Sequence, residues 1–340
     1  MNADAGSSIA DAGANLPGSG ADTGGPGAGA APANVGSGQQ PSSAPKPSPA
    51  GRVVLGGLLW MAVGGFLLQA LNALMRKMTL QLDPMQAQFL RYLFGLAAML
   101  PVIVPTVWRT GWTAYRPNGL GGQIWRGVVH TGAMTFFFAA LPHLPLADVT
   151  AIMFTTPLFV LVGATLFLGE RIPSQRWLAA AVGFIGVLVV VWPHLSGRGA
   201  GIWSLIMLAA APLFAGSFLI TKALTRRDSP SVIVTWQAIT VCLFSVPMAA
   251  LSWSAPSPPQ WGWFALSGVI GTLAHYCFTR AFSLIDISTT QPVRFLDLIY
   301  ASIFGFWLFG NVPSPSALVG GVVILASTIW IARRDTRATS

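Results

Sequence analysis

The sequence predicts an all-α polytopic membrane protein of ten transmembrane helices arranged as two inverted five-helix halves. Composition, an internal repeat and the placement of basic residues carry that expectation. Hydrophobic residues make up 53% of the 340-residue chain and charged residues 9%, against roughly 25% charged in a typical soluble domain. A water-facing globule is therefore excluded. The segment PLFVLVGATLFLGERIP at 157–173 is echoed by LIYASIFGFWLFGNVPS at 298–314, with Gly169 and Gly310 in register, a polar residue after each and a proline beyond. Self-similarity in so apolar a chain marks a duplicated bundle, the architecture of carriers built from two half-units.

Taken in order, apolar runs of about 20 residues, enough to cross a bilayer, fall at 54–74, 86–104, 122–141, 147–168 and 175–193. A second set of five falls at 201–222, 231–252, 262–284, 288–309 and 316–332. The first half then occupies 52–195, the second 200–334, and 335–340 form a short C-terminal tail. Residues 1–51 are built almost wholly from Gly, Ala, Ser, Pro, Asn and Asp with no aromatic residue, too little apolar surface to offset the entropy of ordering, and are expected to be a disordered tail. They lack the basic and apolar regions of a secretory signal. Cys242 and Cys277 both fall inside expected spans and read as packing residues rather than a disulfide framework. Pairs of small residues, Gly183 with Gly186 and Gly320 with Gly321, read as helix-packing seams. Prolines 142, 145, 157, 212 and 292 include candidate bending points.

The net charge of +9 would point to nucleic acid in a soluble protein, but here the basic residues sit at span ends. With the N-terminus inside, fourteen Lys and Arg are cytoplasmic, among them Arg109, Arg116, Arg126, Lys222, Arg226 and Arg227. Three (Arg76, Lys77, Arg198) are outside, and Arg91 and Arg294 lie within spans. That asymmetry predicts both termini in the cytoplasm. Basicity is topology, and no nucleic acid is expected. An odd number of spans per half makes the second half enter the membrane in the opposite sense to the first.

The segment PLADVTAIMFTTPLF followed by FLGERIPSQRWLAAAVGFIGVLVVV resembles the EamA repeat of the drug/metabolite transporter superfamily. DPMQAQFLRYLFGLAAMLP at 83–101 is similar to the second helix of that repeat, and QPVRFLDLIYASIFGFWLFG at 291–310 to the ninth helix of the organic-metabolite branch. The resemblance covers about 52–334. It implies a secondary carrier in a bacterial inner membrane whose cargo is a small organic metabolite: an amino acid, an amine, or a molecule like S-adenosylmethionine or riboflavin. It leaves room for a coupling proton or ion and for a homodimer, and implies no cofactor. The acidic residue that follows the glycine in this family is present as Glu170 but is Asn311 in the second half.

Ionisable groups in mid-span cost about 2.5–3.5 kcal/mol on insertion scales and so face a bundle interior or a wet cavity. Arg294 and Asp297, at i and i+3 in the ninth span, share a helix face with Tyr300 beside it, and make the leading substrate-binding candidates. An ion pair that only neutralises itself is the competing reading. Arg91 in span 2 is either a cavity residue or a guanidinium that snorkels to the headgroups. Trp60, Gln69 and Asn72 in span 1 and His275 with Tyr276 in span 8 complete the set, with bonding to another helix the competing reading for Gln69 and Asn72 and a hydrogen-bonded packing histidine that for His275. His130 and His275 have no second ligand at metal spacing, so no metal site is expected. No nucleophile triad or phosphate loop is present, so the chain is not expected to be an enzyme. An exporter of drugs or toxic amines is the rival within the class, and a membrane scaffold or sensor without a transport cycle the rival outside it.

Overall fold

The computed structural model describes residues 49–175 apart from 145, residues 177, 178, 181, 182 and 185, and residues 201–310. Ten α-helices organise this region: α1 Pro49–Thr79, α2 Pro84–Thr110, α3 Leu120–Ala140, α4 Leu146–Met153 and α5 Thr156–Leu168, then α6 Gly201–Leu224, α7 Pro230–Leu251, α8 Pro258–Leu284, α9 Ile287–Thr290 and α10 Leu296–Phe309. No strand occurs among the described residues. Among the described residues six stretches, starting at Gly51, Pro84, Leu120, Gly201, Pro230 and Ile287, are long and apolar enough to cross a membrane. The outer surface carries Leu59, Leu166, Phe167, Leu243 and Trp307, more than half exposed each, as lipid contact requires and water would punish. The spans expected at 175–193 and 316–332 lie largely or wholly outside the described residues, as do the two glycine seams and the N-terminal tail.

Local chemistry sets the helix ends. Asp83 caps α2, its Oδ1 accepting from the backbone N–H of Met85 (2.9 Å) and Gln86 (3.1 Å), with Pro84 opening the helix. Ser229 with Pro230 does the same for α7, so the second helix of each half starts in the same way. The repeated glycines also act alike. Gly169 ends α5 and Gly310 follows α10, both at φ 67°, a left-handed conformation that glycine adopts at no steric cost.

The packing is reciprocal. In the first half α1 lies on α8 and α10; in the second, α6 lies on α3 and on α4 and α5. Likewise α2 packs on α8 and α7 on α3, while α2 and α7 meet each other. Corresponding helices thus exchange corresponding partners, and each half completes its core with the other half. Phe138, Phe264, Phe282, Leu71 and Met75 are among the fully buried side chains of that shared core.

Spans 4 and 9, where Pro157 and Pro292 are candidate bending points, are both interrupted. The fourth divides into α4 and α5 around Phe154 and Thr155, just before Pro157. The ninth runs as the short α9, a 3-10 stretch Gln291–Phe295 containing Pro292, and then α10. Proline removes a backbone donor and clashes with the preceding turn, and hydropathy averaged over a span does not register this. Pro212, by contrast, sits inside an unbroken α6.

Close approach is needed at Gly65 on α1. A Cβ there would collide with the Asp297 carboxylate, so glycine is what lets α1 lie against the acidic end of α10. Gly65→Val is expected to abolish transport and lower the yield of folded protein. Gly56→Ala, with nothing within 4 Å of the added carbon, is expected to leave both unchanged. Uptake and size-exclusion profiles of the two variants check this.

Candidate functional site

A cavity of about 60 Å³ lies where the two broken spans face each other, with Phe154 and Pro157 on one side and Arg294 and Asp297 on the other. Gln69 and Asn72 of α1, Met134 and Phe137 of α3, Phe214 and Phe218 of α6, and Phe278 of α8 complete most of its wall, with His130 and His275 at its floor. Discontinuous helices at a repeat interface are a recurrent way of bringing polar groups to mid-membrane.

Arg294 and Asp297 form the expected ion pair, Nε to Oδ2 3.6 Å. The guanidinium also lies over the rings of Phe218 and Phe278, at 4.8 and 5.7 Å from their centroids, where the negative ring faces partly replace the water it has lost. Its Nη1 has no hydrogen-bond partner within the protein, so the pair is not saturated by its own contacts. Across the cavity, Asn72 Nδ2 donates to Gln69 Oε1 at 3.3 Å, which orients this polar pair of α1.

Behind the cavity floor lies a buried polar network. Arg126 donates from Nε to Thr221 Oγ1 (2.6 Å), from Nη1 to the carbonyl of Ile233 (3.0 Å) and from Nη2 to Gln237 Oε1 (2.6 Å). The Gln237 oxygen is thereby committed to Arg126, and its amide Nε2 faces His130 Nε2 at 2.9 Å and His275 Nδ1 at 3.4 Å. His130 Nε2 therefore accepts, as it can also from Tyr92 OH (2.8 Å), and its proton sits on Nδ1 toward Ser217 Oγ (2.9 Å). Arg91 can only donate, so the 3.2 Å contact of its Nη2 makes His275 Nε2 an acceptor and puts the ring proton on Nδ1, which therefore does not accept from Gln237, whose amide bonds His130 instead. The two pairs are related: Arg91 and Gln237 are each seven residues past the first proline of α2 and α7, and each meets the histidine of the opposite half.

Five of the nine expected binding residues, Arg294, Asp297, His275, Gln69 and Asn72, thus share one cavity. Arg91 stands one contact behind it. Its reading as a snorkelling side chain is corrected, since it is 3% exposed and lies over the Tyr92 ring, 4.4 Å from the centroid. Trp60 and Tyr276 pair edge to face at 6.2 Å and Tyr300 packs on Phe66 at 5.5 Å. None of these three is on the cavity wall.

Arg126 is a second correction. Counted from the sequence among cytoplasmic residues at a span end, it is buried in the bundle at 3% exposure. A cation near the start of an apolar run reads as a membrane-edge residue by position alone. The signal that could have found it is its i, i+4 spacing to His130, which puts both on one face of α3. Gln237, Ser217 and the ring of Phe214 packed edge-on to His130 at 5.6 Å carried no such signal.

The acidic residue after the repeated glycine also gains a partner. Glu170 Oε1 and Oε2 accept from the backbone N–H groups of Ile287 (3.1 Å) and Ser288 (3.2 Å), which fastens the end of the first half's fourth span to the start of the second half's ninth. Lys222 holds the adjoining end of α8 by donating to the carbonyls of Phe282 (2.9 Å) and Ile285 (2.8 Å). Asn311 lies outside the described residues. Among the described residues no group of His, Cys, Asp and Glu could hold a metal ion.

The EamA-like transporter family matches residues 55–192 and 201–333 of the chain, one copy in each half. Among curated proteins, it is similar to a riboflavin transporter of Rhizobium johnstonii, 30% identical over 88% of this chain and 96% of that one. An S-adenosylmethionine uptake transporter of Rickettsia felis is 28% identical over 85% and 96%, and a pseudopaline exporter of Pseudomonas aeruginosa 26% identical over 82% and 96%. A solved crystal structure, 17% identical, aligns over 84% of this chain and 98% of its own with a TM-score of 0.66, a likeness of fold.

Proposed function

The chain belongs to the EamA-like transporter family, and from that premise we propose that it is a secondary, gradient-driven carrier of a small polar or amphipathic organic metabolite working by alternating access. It is a multi-pass membrane transporter and not an enzyme. The observation that carries the cargo reading is the cavity between the broken spans, where an arginine and a carboxylate of one half face phenylalanines contributed by both. Such a wall suits a molecule with a flat ring and a polar or zwitterionic portion, a description that riboflavin and S-adenosylmethionine both meet. A space of about 60 Å³ holds a few waters, whereas organic ligands occupy pockets of roughly 300–1,000 Å³. Loading therefore requires the halves to part, and the reciprocal packing gives them two equivalent arrangements to move between.

The binding set in this reading is Arg294, Asp297, His275, Gln69 and Asn72, with Arg91 positioning His275 and with Trp60, Tyr276 and Tyr300 at the periphery. Ten spans, two inverted repeats at 52–195 and 200–334, an inner-membrane location and cytoplasmic termini complete it. The exporter reading shares the site and differs in direction, and the similarity to a pseudopaline exporter is what favours keeping it. Proteoliposomes loaded on either side with labelled riboflavin or S-adenosylmethionine test cargo and direction together. Uptake or exchange of one of them, blocked by excess unlabelled compound, is the expected result; protein that moves no solute from a broad metabolite panel overturns the carrier reading. Reporter fusions at both ends are expected to give cytoplasmic signals, and a periplasmic signal at the intact C-terminus overturns the orientation.

A further inference from the structure

A second recess lies away from the cavity, on the outer face where α2 and α7 diverge. The two helices are in contact at Met99 and Thr235, whose Oγ1 donates to the Met99 sulfur at 3.5 Å. Beyond that point α2 runs on past Pro101 and Pro105 to Thr110, and the linker that follows turns back toward α7, pinned by Trp236 Nε1 donating to the carbonyl of Tyr115 at 2.9 Å. Between them is a groove of about 810 Å³. Its long wall is the ridge Leu96, Leu100, Ile103, Val104 and Val107 of α2, and Trp236 and Ile239 form the opposite side.

The end of the groove is strongly basic. Arg116 lines it; Arg109 is exposed on α2 directly after Trp108 of the groove wall, and Arg226 and Arg227 are exposed on the segment that Asn118 Nδ2 holds by donating to the carbonyl of Arg227 at 2.7 Å. The acid of that corner, Asp228, is turned inward. Its Oδ1 accepts from the backbone N–H (2.8 Å) and Nδ2 (3.1 Å) of Asn118, and its Oδ2 from Gln123 Nε2 (2.8 Å). Its three bonds are to neutral donors rather than to the arginines, and one carboxylate against four guanidiniums leaves the corner positive. Trp108 and Trp112, 87% and 79% exposed, stand beside the arginines, where indole rings mark the level of the headgroups.

We propose that this groove binds an anionic phospholipid, one acyl chain lying along the α2 ridge between α2 and α7 and the phosphate held by Arg109 and Arg116. An apolar trough that opens at one end onto a cluster of cations matches an amphiphile of that charge and no water-soluble ligand. A second copy of the chain is the poorer occupant, because a two-fold contact sets the same patch against itself and would bring eight arginines together. The inference stands apart from the identity of the cargo.

The test uses full-length protein in dodecyl maltoside, with the thermal unfolding midpoint followed on adding phosphatidylglycerol, phosphatidylcholine or glycerol 3-phosphate. Phosphatidylglycerol is expected to raise the midpoint by about 3 °C or more, as a ligand confined to the native state does, and the other two to leave it within about 1 °C. The double variant Arg109→Gln/Arg116→Gln, on the protein surface, is expected to keep its lipid-free midpoint and lose the rise; Val104→Trp, which fills the trough, is expected to lose it too. An equal rise with phosphatidylcholine, a rise reproduced by glycerol 3-phosphate alone, or a phosphatidylglycerol effect that survives in the double variant each overturns the proposal. So does a dimer in light scattering that Val104→Trp or the double variant dissociates.

Discussion

Asp297→Asn is expected to reduce both the yield of folded protein and the rate of transport, with the larger fractional loss in transport. Removing the carboxylate leaves the Arg294 guanidinium held only by the faces of Phe218 and Phe278, and breaking a buried pair from one side costs about 3–5 kcal/mol. The single variant does not separate a structural pair from a binding pair, so Arg294→Gln and the double variant complete the cycle. In the double variant no charge remains unpaired, and insertion and thermal stability are expected to return to near the parent value. Transport is expected to stay lost, because the cargo has lost the charged partners it would meet. Full flux in the double variant would sink the assignment of Arg294 and Asp297 to the cargo and leave them as an ion pair that steadies the break in span 9.

The second large effect is expected at Arg126, a residue away from the cavity wall. Arg126→Met removes the donor from three acceptors at once, Thr221 Oγ1, the Ile233 carbonyl and Gln237 Oε1. Each buried acceptor left unsatisfied costs about 1–3 kcal/mol. The variant is therefore expected to fail at folding, seen as aggregation on size exclusion and a collapse of the melting midpoint. Arg126→Lys keeps a cation but cannot span three acceptors with a planar fork. It is expected to insert, melt several degrees lower and transport slowly, because Gln237, freed to turn its amide over, no longer presents Nε2 to His130. An Arg126→Met protein as stable as the parent would show that the guanidinium is a membrane-edge charge after all.

Much of the fold was legible because each signal is local. The repeat around Gly169 and Gly310 was legible in the sequence, and both glycines prove to stand at φ 67° at a helix end; the spacing of Arg294 and Asp297 put them on one helix face, where they pair. That Gln69 and Asn72 share a face was legible for the same reason, since three residues along a helix bring two side chains onto one face; that this face lines the cavity rather than bonds a neighbouring helix was seen only in the structure. The breaks in spans 4 and 9 were only half legible. Pro157 and Pro292 mark breaks, but Pro212 occupies an intact helix, and which proline breaks its helix depends on what the neighbouring helices offer the freed carbonyls.

Sequence by itself determined that this chain is duplicated, membrane-embedded and helical, because composition, span length and repeat are properties of the chain read in order; the EamA assignment came from the resemblance of its segments to a known repeat, and the family match agrees. The tertiary structure decided which polar residues meet. Arg126 is 111 positions from Gln237, His275 is 184 from Arg91, and Glu170 is 117 from Ile287. These contacts cross between halves, and nothing in the local pattern of either partner encodes the other. They arise because each half packs its helices on those of its counterpart, so that a buried donor in one half finds its acceptor only when the other half is in place.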